Sequence, residues 1–349
     1  MDPLEFPFAH GGPPGRGRLR RQPEDFQVDE VLGFKPSGEG EHVLLQVRKR
    51  DANTRWVAER LAAFAGVRPV AVSYAGLKDR RAVTTQWFSV QLPGREDPRW
   101  QELNADGVEV LCAARHHRKL RTGTLQGNRF DILVHELVGD PRGLRTRLQS
   151  IARAGVPNYF GEQRFGRGGA NLRRAEELFA GRRLKRTDRS MALSAARSWL
   201  FNQVLAERIR NGTWDTPMGG EVLMLAGSHS IFATDQPDEA LLARCLVQDV
   251  HPTGPLWGRG EPATGGACRA LEERVLAPSK AWQAGLERAG LRQERRALRL
   301  AVQDLEWQQP APDQLRLRFY LERGCYATAV LRELVQAEEQ VRRGSGDAT

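Results

Sequence analysis

Strand-like alternation of polar and apolar residues occurs near both ends of this 349-residue chain, and a stretch of different composition separates the two regions. The alternating segments are residues 25–32, 41–47, 108–114, 128–137, 298–305 and 315–321. Alternation with a period of two is typical of half-buried strands, and a chain of this length agrees with about two domains. The sequence therefore predicts one α+β domain that is interrupted by a mixed insertion of about 150 residues.

Local signals extend this prediction. The turn residues at 36–40 lie between the first two alternating segments and predict that these form a β-hairpin. Helical spacing predicts helices at residues 54–64, 141–154 and 327–342. The segment from His10 to Arg21 contains Gly, Pro and Arg without an acid and is predicted to be a flexible basic arm, and residues 344–349 are predicted to form a disordered tail.

The charge is strongly positive. There are 53 Lys+Arg against 43 Asp+Glu, a net charge of +10, and 47 of the 53 cations are arginine. The planar guanidinium group matches phosphate and stacks on bases, so this balance favours a nucleic-acid partner. A genomic codon bias toward arginine explains the same composition equally well.

Several classes of protein are excluded by the sequence. It contains no apolar run long enough for a transmembrane helix and no secretory signal. Four scattered cysteines without a C-x-x-C pair argue for reduced thiols in the cytosol and against a zinc site. A GxxxxGK[ST] loop is also missing, which argues against a P-loop nucleotide enzyme.

The segment from Gly76 to Ala82 is the first candidate site. It is predicted to be a loop between strands at residues 70–74 and 86–91, a position where catalytic residues are common. Asp79 has cations on both sides, and nearby positive charge keeps a carboxylate ionised, as a nucleophile or base requires. The alternative is an aspartate that only satisfies a turn.

Two further segments combine features of RNA recognition. Residues 112–130 carry five cations and no carboxylate, and they end in Asn128, which can hydrogen-bond a base, and Phe130, which can stack on one. Residues 156–166 mix aromatic rings, amides and arginines, as pockets for single-stranded bases do. For residues 112–130 the alternative is a solvated loop followed by a strand whose apolar residues face inward. For residues 156–166 the alternative is a packed turn between domains.

Four stretches together carry a family resemblance: GLKDRRAVTTQWFSV, GNRF, GVPNYFGEQRFG and LSAARSWLFNQVLAERI. In this order and spacing they resemble the TruD family of tRNA pseudouridine synthases, over nearly the whole chain. The resemblance implies a pseudouridine-synthase fold, a mixed and mainly antiparallel sheet with helices, with an inserted α/β domain. It places the catalytic domain at residues 1–154 plus 301–349 and the inserted domain at residues 155–300, in agreement with the interruption seen in the composition. It also implies an enzyme that binds tRNA, uses no metal or cofactor, and converts uridine 13 of the D arm to pseudouridine. The bulk features of the sequence add the expectation of a cytoplasmic protein without a membrane partner, and nothing in the sequence demands more than a monomer.

The family's functional residues map onto this chain motif by motif. The resemblance makes Asp79 the catalytic residue and places Asn128 and Phe130 in the substrate pocket. Tyr326 stands where the family carries phenylalanine, which retains the stacking face and adds a hydroxyl. Lys78 and Arg80 are expected to contact substrate phosphate or to tune Asp79. The residues expected to contact RNA are Arg115, Arg118, Lys119, Arg121 and Arg164.

Two other functions remain open. A noncatalytic RNA-binding protein of the same fold would bind tRNA and leave the base unchanged. A hydrolytic nucleosidase would usually need a second carboxylate as acid. Glu162 is the nearest candidate by motif, but the sequence does not place it beside Asp79.

Overall fold

The computed structural model describes residues 5–339. The strands are β1 (Gly15–Leu19), β2 (Phe26–Val31), β3 (His42–Arg50), β4 (Val72–Tyr74), β5 (Val83–Gln91), β6 (Val108–His116), β7 (Gly127–Gly139), β8 (Val156–Pro157), β9 (Glu221–Leu225), β10 (Ile231–Thr234), β11 (Val250–Leu256), β12 (Glu294–Ala297), β13 (Arg299–Leu300), β14 (Gln303–Gln308), β15 (Leu315–Glu322) and β16 (Val335–Glu339). The helices are α1 (Thr54–Phe64), α2 (Pro141–Ala154), α3 (Glu162–Phe165), α4 (Ala170–Phe179), α5 (Arg186–Arg210), α6 (Glu239–Leu246), α7 (Gly266–Leu276), α8 (Lys280–Arg288) and α9 (Ala327–Leu334).

Residues 15–141, 302–327 and 335–339 form one compact unit, which we call the sheet unit. Seven of its strands form a continuous sheet in the order β14-β15-β7-β2-β5-β3-β6. β1 pairs with β7 and β16, and β4 pairs with β5. Among the described residues, only the β2–β5 and β1–β16 strand pairs are parallel. The predicted α+β class with a mainly antiparallel sheet is therefore confirmed.

Helix α1 packs on one face of this sheet. Its apolar residues recur with helical spacing, so that Val57 and Leu61 are fully buried against Val47 of β3 and Phe88 of β5. Burial of an aliphatic side chain of this size contributes about 1.5–3 kcal/mol. Residues that pair across neighbouring strands have their side chains on the same face of the sheet. The face under α1 therefore extends over the other strands and to the loop between β4 and β5.

The predicted hairpin of β2 and β3 is wrong. β5 lies between them, antiparallel to β3 over nine residue pairs and parallel to β2. The connection between β2 and β3 is ten residues long, beyond the two to five residues of ordinary hairpin turns. Long-range pairing with β5 therefore decides the strand order, although the strand positions themselves agree with the alternation.

Two predictions near the chain ends are also wrong within the described residues: the flexible basic arm and the continuation of the last helix beyond residue 334. Instead of a flexible arm, residues 15–19 form β1, and Gly17 packs so closely on β7 that a Cβ atom would lie 2.6 Å from the Val134 side chain. The last helix ends at Leu334, and the chain continues as β16, parallel to β1. The two segments satisfy each other's backbone groups, a pairing that local sequence does not reveal. The predicted helix end at Arg342 and the tail lie outside the described residues.

Residues 5–14, 142–301 and 328–334 form the second compact unit, the helix-rich unit. The 25-residue helix α5 runs through its core and buries Leu200, Phe201 and Leu205. This unit also contains a four-stranded sheet, β10-β9-β11-β12, and a two-stranded sheet, β13-β8. Within residues 5–339, no helix has the length and hydropathy that a membrane span requires.

Candidate active site

The loop between β4 and β5 carries Asp79, and buried polar side chains of the sheet unit hold its main chain. Gln86 Nε2 donates to the Gly76 carbonyl at 3.2 Å, and Thr54 Oγ1 accepts from the Lys78 amide at 3.2 Å. Thr54 Oγ1 in turn donates to Gln86 Oε1 at 3.0 Å. Lys49 Nζ donates to the Asp79 carbonyl at 2.9 Å. Four consecutive residues, 76–79, thus have three main-chain anchors, which fix the backbone at the aspartate.

Lys78 is held by a buried acid. Its ammonium lies 2.5 Å from Glu30 Oε1, and the other carboxylate oxygen, Oε2, accepts from the Trp87 amide at 2.8 Å. The Glu30 side chain is fully buried and the Lys78 side chain is only 12% exposed. Because the ammonium is paired within the protein, the structure associates Lys78 with support of the loop. Its predicted contact with substrate phosphate stays a prediction.

Arg20 contacts the Asp79 carboxylate directly. Its Nη2 donates to Asp79 Oδ2 at 2.7 Å, and its guanidinium carbon lies 4.3 Å from the centroid of the Phe26 ring. The Arg20 side chain is 14% exposed and that of Asp79 is 43% exposed. Arg20 has a φ of 55°, in the left-handed region that non-glycine residues rarely adopt, so the surrounding structure holds it there. The carboxylate is therefore oriented by a cation on one side and still open to a ligand.

A row of aromatic rings continues from Arg20 across the sheet. The rings of Phe26 and Phe130 meet edge to face at 6.3 Å, and those of Phe130 and Phe319 stack at 5.2 Å. Phe130 is opposite Val28 in the register of β2 and β7, as Asn128 is opposite Glu30. These side chains consequently share one face of the sheet. The contacts from Asp79 through Arg20 and Phe26 to Phe130 bring the predicted catalytic aspartate and the predicted pocket residues together.

Asn128 has an unused acceptor on this face. Its Oδ1 atom is buried and has no hydrogen-bond partner among the described residues. A buried polar atom without a partner costs about 1–3 kcal/mol, and such atoms are rare in native proteins. This acceptor lies on the same face of the sheet as the Phe130 ring.

The other predicted site residues differ in their surroundings. Arg80 is exposed, and its Nε lies 3.7 Å from an Asp51 carboxylate oxygen. Tyr326, in the connection between β15 and α9, is 38% exposed. Arg164 belongs to the helix-rich unit, where its guanidinium donates to Ser194 Oγ at 2.9 Å.

The cations of residues 112–130, a segment that we call the ribbon, differ in their surroundings. Arg115 donates to the carbonyls of Gly40 and Leu92 and pairs with Asp97 at 2.5 Å, so it ties loops together. Of the other four cations, Arg129 lies 3.5 Å from an Asp304 carboxylate oxygen. Three are exposed, and no carboxylate of the described chain pairs with them: Arg118, Lys119 and Arg121. These three present positive charge to solvent and are the part of the ribbon that can meet an anionic partner.

Several residues of this site were not identified from the sequence. Phe26, Val28 and Glu30 occupy every second position of β2, and Val47 and Lys49 do the same in β3. Glu30 and Lys49 each occupy a position where the alternation of the strand predicts an apolar residue. This mismatch is the signal in the sequence that could have identified them. No comparable signal marks Arg20, because it lies in a segment that resembles a basic arm.

Comparison with known proteins gives a consistent result. A family model described as tRNA pseudouridine synthase D (TruD) matches residues 7–178 and 170–334. Proteins named tRNA pseudouridine synthase D from Methylococcus capsulatus and Nitrosococcus oceani are 51% and 53% identical to this chain, over 338 and 340 residues. These matches cover 96% of this chain in both cases, and 96% and 95% of the two relatives.

A solved structure shows a similar fold. The putative tRNA pseudouridine synthase D from Methanosarcina mazei superposes with a TM-score of 0.72, covering 96% of this chain and 95% of that one, at 21% identity. At this identity the likeness concerns the fold alone. The family match spans most of the chain and the two bacterial relatives share half of its residues, so the chain belongs to the TruD family.

Proposed function

We propose that this protein isomerises uridine to pseudouridine in tRNA, at uridine 13 of the D arm, and that Asp79 is the catalytic residue. The observation that carries the proposal is the placement of the Asp79 carboxylate, which Arg20 orients on a loop with three main-chain anchors. The names of the relatives support the reaction and the class of RNA. The position in the D arm rests on the family resemblance.

The chemistry of the isomerisation explains why one carboxylate is sufficient. The C1′–N1 bond breaks, the uracil rotates, and C5 bonds to C1′. The proton lost from C5 is balanced by one gained at N1, so the reaction is redox-neutral and consumes no co-reactant. An ionised Asp79 can start it by attack at C1′, by attack at C6 or by removal of a ribose proton. All three routes require the carboxylate to be held against one nucleotide.

The roles that we propose for the pocket residues come from the family resemblance and from the chemistry of the base. Extruding uridine from its stack costs a few kcal/mol, and stacking on an aromatic ring returns about 1–3 kcal/mol. We assign this stacking to Phe130, with Tyr326 as the second aromatic residue. The orphaned Asn128 Oδ1 would accept a hydrogen bond from N3–H of uracil, the donor of that base. Arg80, which is exposed beside Asp79, would contact phosphate.

We also propose that residues 1–154 and 301–349 form the catalytic domain and that residues 155–300 form the inserted domain. The sheet unit, which carries Asp79, supports this assignment. The described parts of the proposed catalytic domain that belong instead to the helix-rich unit are residues 5–14, 142–154, 301 and 328–334.

The function is tested by incubating the purified protein with unmodified tRNA and mapping pseudouridine by carbodiimide labelling and primer extension, with chromatography for free uracil. Pseudouridine at position 13 alone is the expected result. Pseudouridine at another position contradicts the assigned site. Free uracil indicates a hydrolase, and unchanged tRNA that is nevertheless bound indicates a noncatalytic RNA-binding protein.

The three exposed cations of the ribbon are expected to bind backbone phosphates. Replacing Arg118, Lys119 and Arg121 together with alanine should weaken tRNA binding and raise KM, because three ionic contacts are lost. Each lost phosphate contact reduces the slope of log affinity against log salt by about 0.7–0.9, so the slope should fall by about 2–3. Filter binding at several salt concentrations measures both effects, and kcat at saturating tRNA should stay unchanged.

A control with the same change in net charge separates local contacts from general electrostatics. Arg48, Arg68 and Arg99 are exposed arginines of the sheet unit outside the ribbon. Replacing these three with alanine should leave most of the affinity and salt dependence intact. An equal loss in both triple variants, or wild-type binding by the ribbon variant, contradicts the proposed contact.

A further inference from the structure

Lys49 carries a buried charge at one of the three main-chain anchors of the loop. It lies near the end of β3, has no exposed surface, and its ammonium donates to the main-chain carbonyl of Asp79 at 2.9 Å. Burying an ammonium group costs several kcal/mol, and an apolar side chain of similar volume is often at least as stable at such a position. Stability of the sheet alone therefore does not account for a lysine here.

The groups around Lys49 belong to the proposed active site. Carboxylates of Glu30 on β2, of Asp51 after β3 and of Asp79 itself attract its charge, while Lys78 opposes it. Thr84 of β5 pairs with Lys49 in register and is fully buried. Burial outweighs these interactions and lowers the pKa of Lys49 to about 8. This cation is thus near its titration point at physiological pH.

We propose that Lys49 is a positioning residue for Asp79. Its ammonium fixes the backbone of the aspartate, whereas Arg20 fixes the carboxylate, so the two cations constrain the same residue at different atoms. A charge-assisted hydrogen bond is about twice as strong as a neutral one, so loss of the Lys49 proton loosens the carbonyl contact. This inference rests on the proposed role of Asp79.

We expect kcat to decline as the pH rises through about 8, while the protein stays folded. The pKa of Lys49 is lower in the folded protein than the ordinary value of 10.5, so the unfolded chain binds the proton more tightly. Through this group, stability is constant below pH 8 and rises between about pH 8 and 10.5. Activity and the contribution of Lys49 to stability should therefore change in opposite directions.

Two substitutions separate the hydrogen bond from the charge. Lys49→Met removes both and is expected to lower kcat by about 10–100-fold, because small displacements of a catalytic group have effects of this size. KM for tRNA should stay within about twofold, since a fully buried residue does not touch RNA. Lys49→Gln keeps an uncharged donor, so its kcat should lack the inflection near pH 8. Lys35→Met, at an exposed lysine of the same unit, is the matched control. It should leave kcat and the inflection of kcat near pH 8 unchanged.

Hydrogen exchange provides a readout that is independent of the reaction. Amides of residues 76–82 should exchange at least about tenfold faster in Lys49→Met, with unchanged protection in β5, because only the loop loses its anchor. Wild-type exchange in this loop overturns the inference, as does wild-type kcat in a folded Lys49→Met or an inflection retained in Lys49→Gln. If the methionine variant does not fold, the glutamine variant decides by its pH profile alone. A wild-type enzyme that makes no pseudouridine refutes the proposed function, whereas slow loop exchange in Lys49→Met refutes the role of Lys49.

Discussion

Replacing Asp79 with asparagine is expected to reduce the rate of pseudouridine formation by about 10⁴-fold or more, the scale seen when an essential nucleophile or base is removed. Asparagine keeps the shape of the side chain and an oxygen that can accept from Arg20 Nη2. It lacks the negative charge and the basic lone pair that can open the C1′–N1 bond. Single-turnover assays with excess enzyme measure the chemical step directly.

The control for this variant is Asp106→Asn. Asp106 belongs to the same unit, its side chain is 76% exposed, and it pairs with Arg60 at 2.9 Å. This substitution should leave the rate unchanged. Asp79→Asn should retain tRNA binding and the thermal unfolding midpoint of the wild type, because the loop anchors involve other atoms. A wild-type single-turnover rate in Asp79→Asn would falsify the assignment of the catalytic residue.

Replacing Glu30 with alanine is expected to lower the free energy of unfolding by about 3 kcal/mol. Removal of one partner of a buried ion pair costs about 3–5 kcal/mol, and the lower end applies because Lys78 retains 12% exposure. The Trp87 amide also loses its acceptor. Urea denaturation measures the change, and kcat should fall as well because the loop that carries Asp79 loses a support.

A second variant distinguishes the ion pair from simple loss of packing. The double substitution Glu30→Gln with Lys78→Gln removes both charges and should recover more than half of the lost stability, because no uncompensated charge remains. Glu102→Ala, at a pair with both side chains mostly exposed, is the control and should cost about 0.5 kcal/mol or less. A double variant as unstable as Glu30→Ala contradicts the explanation by charge.

The family motifs alone point to Asp79, Asn128 and Phe130, because these residues lie in short conspicuous stretches of sequence. The motifs do not identify the groups that hold these residues. Glu30 and Lys49 are each a single polar residue in an alternating strand, and their meaning depends on which loop packs above them. The motifs also do not show that Arg115 of the acid-free ribbon binds loop carbonyls and Asp97, while its RNA contact stays a prediction.

Local sequence determined the positions of β2 and β3, the extent of α1, the mixed α+β class and the loop that carries the aspartate. These properties follow from residue periodicity and turn residues within short windows. Only the tertiary structure decided that β5 separates β2 from β3, that residues 15–19 and 335–339 pair, and that Arg20 reaches Asp79. Each of these depends on a backbone or charged group finding a partner far along the chain, and short-range patterns carry no information about that partner.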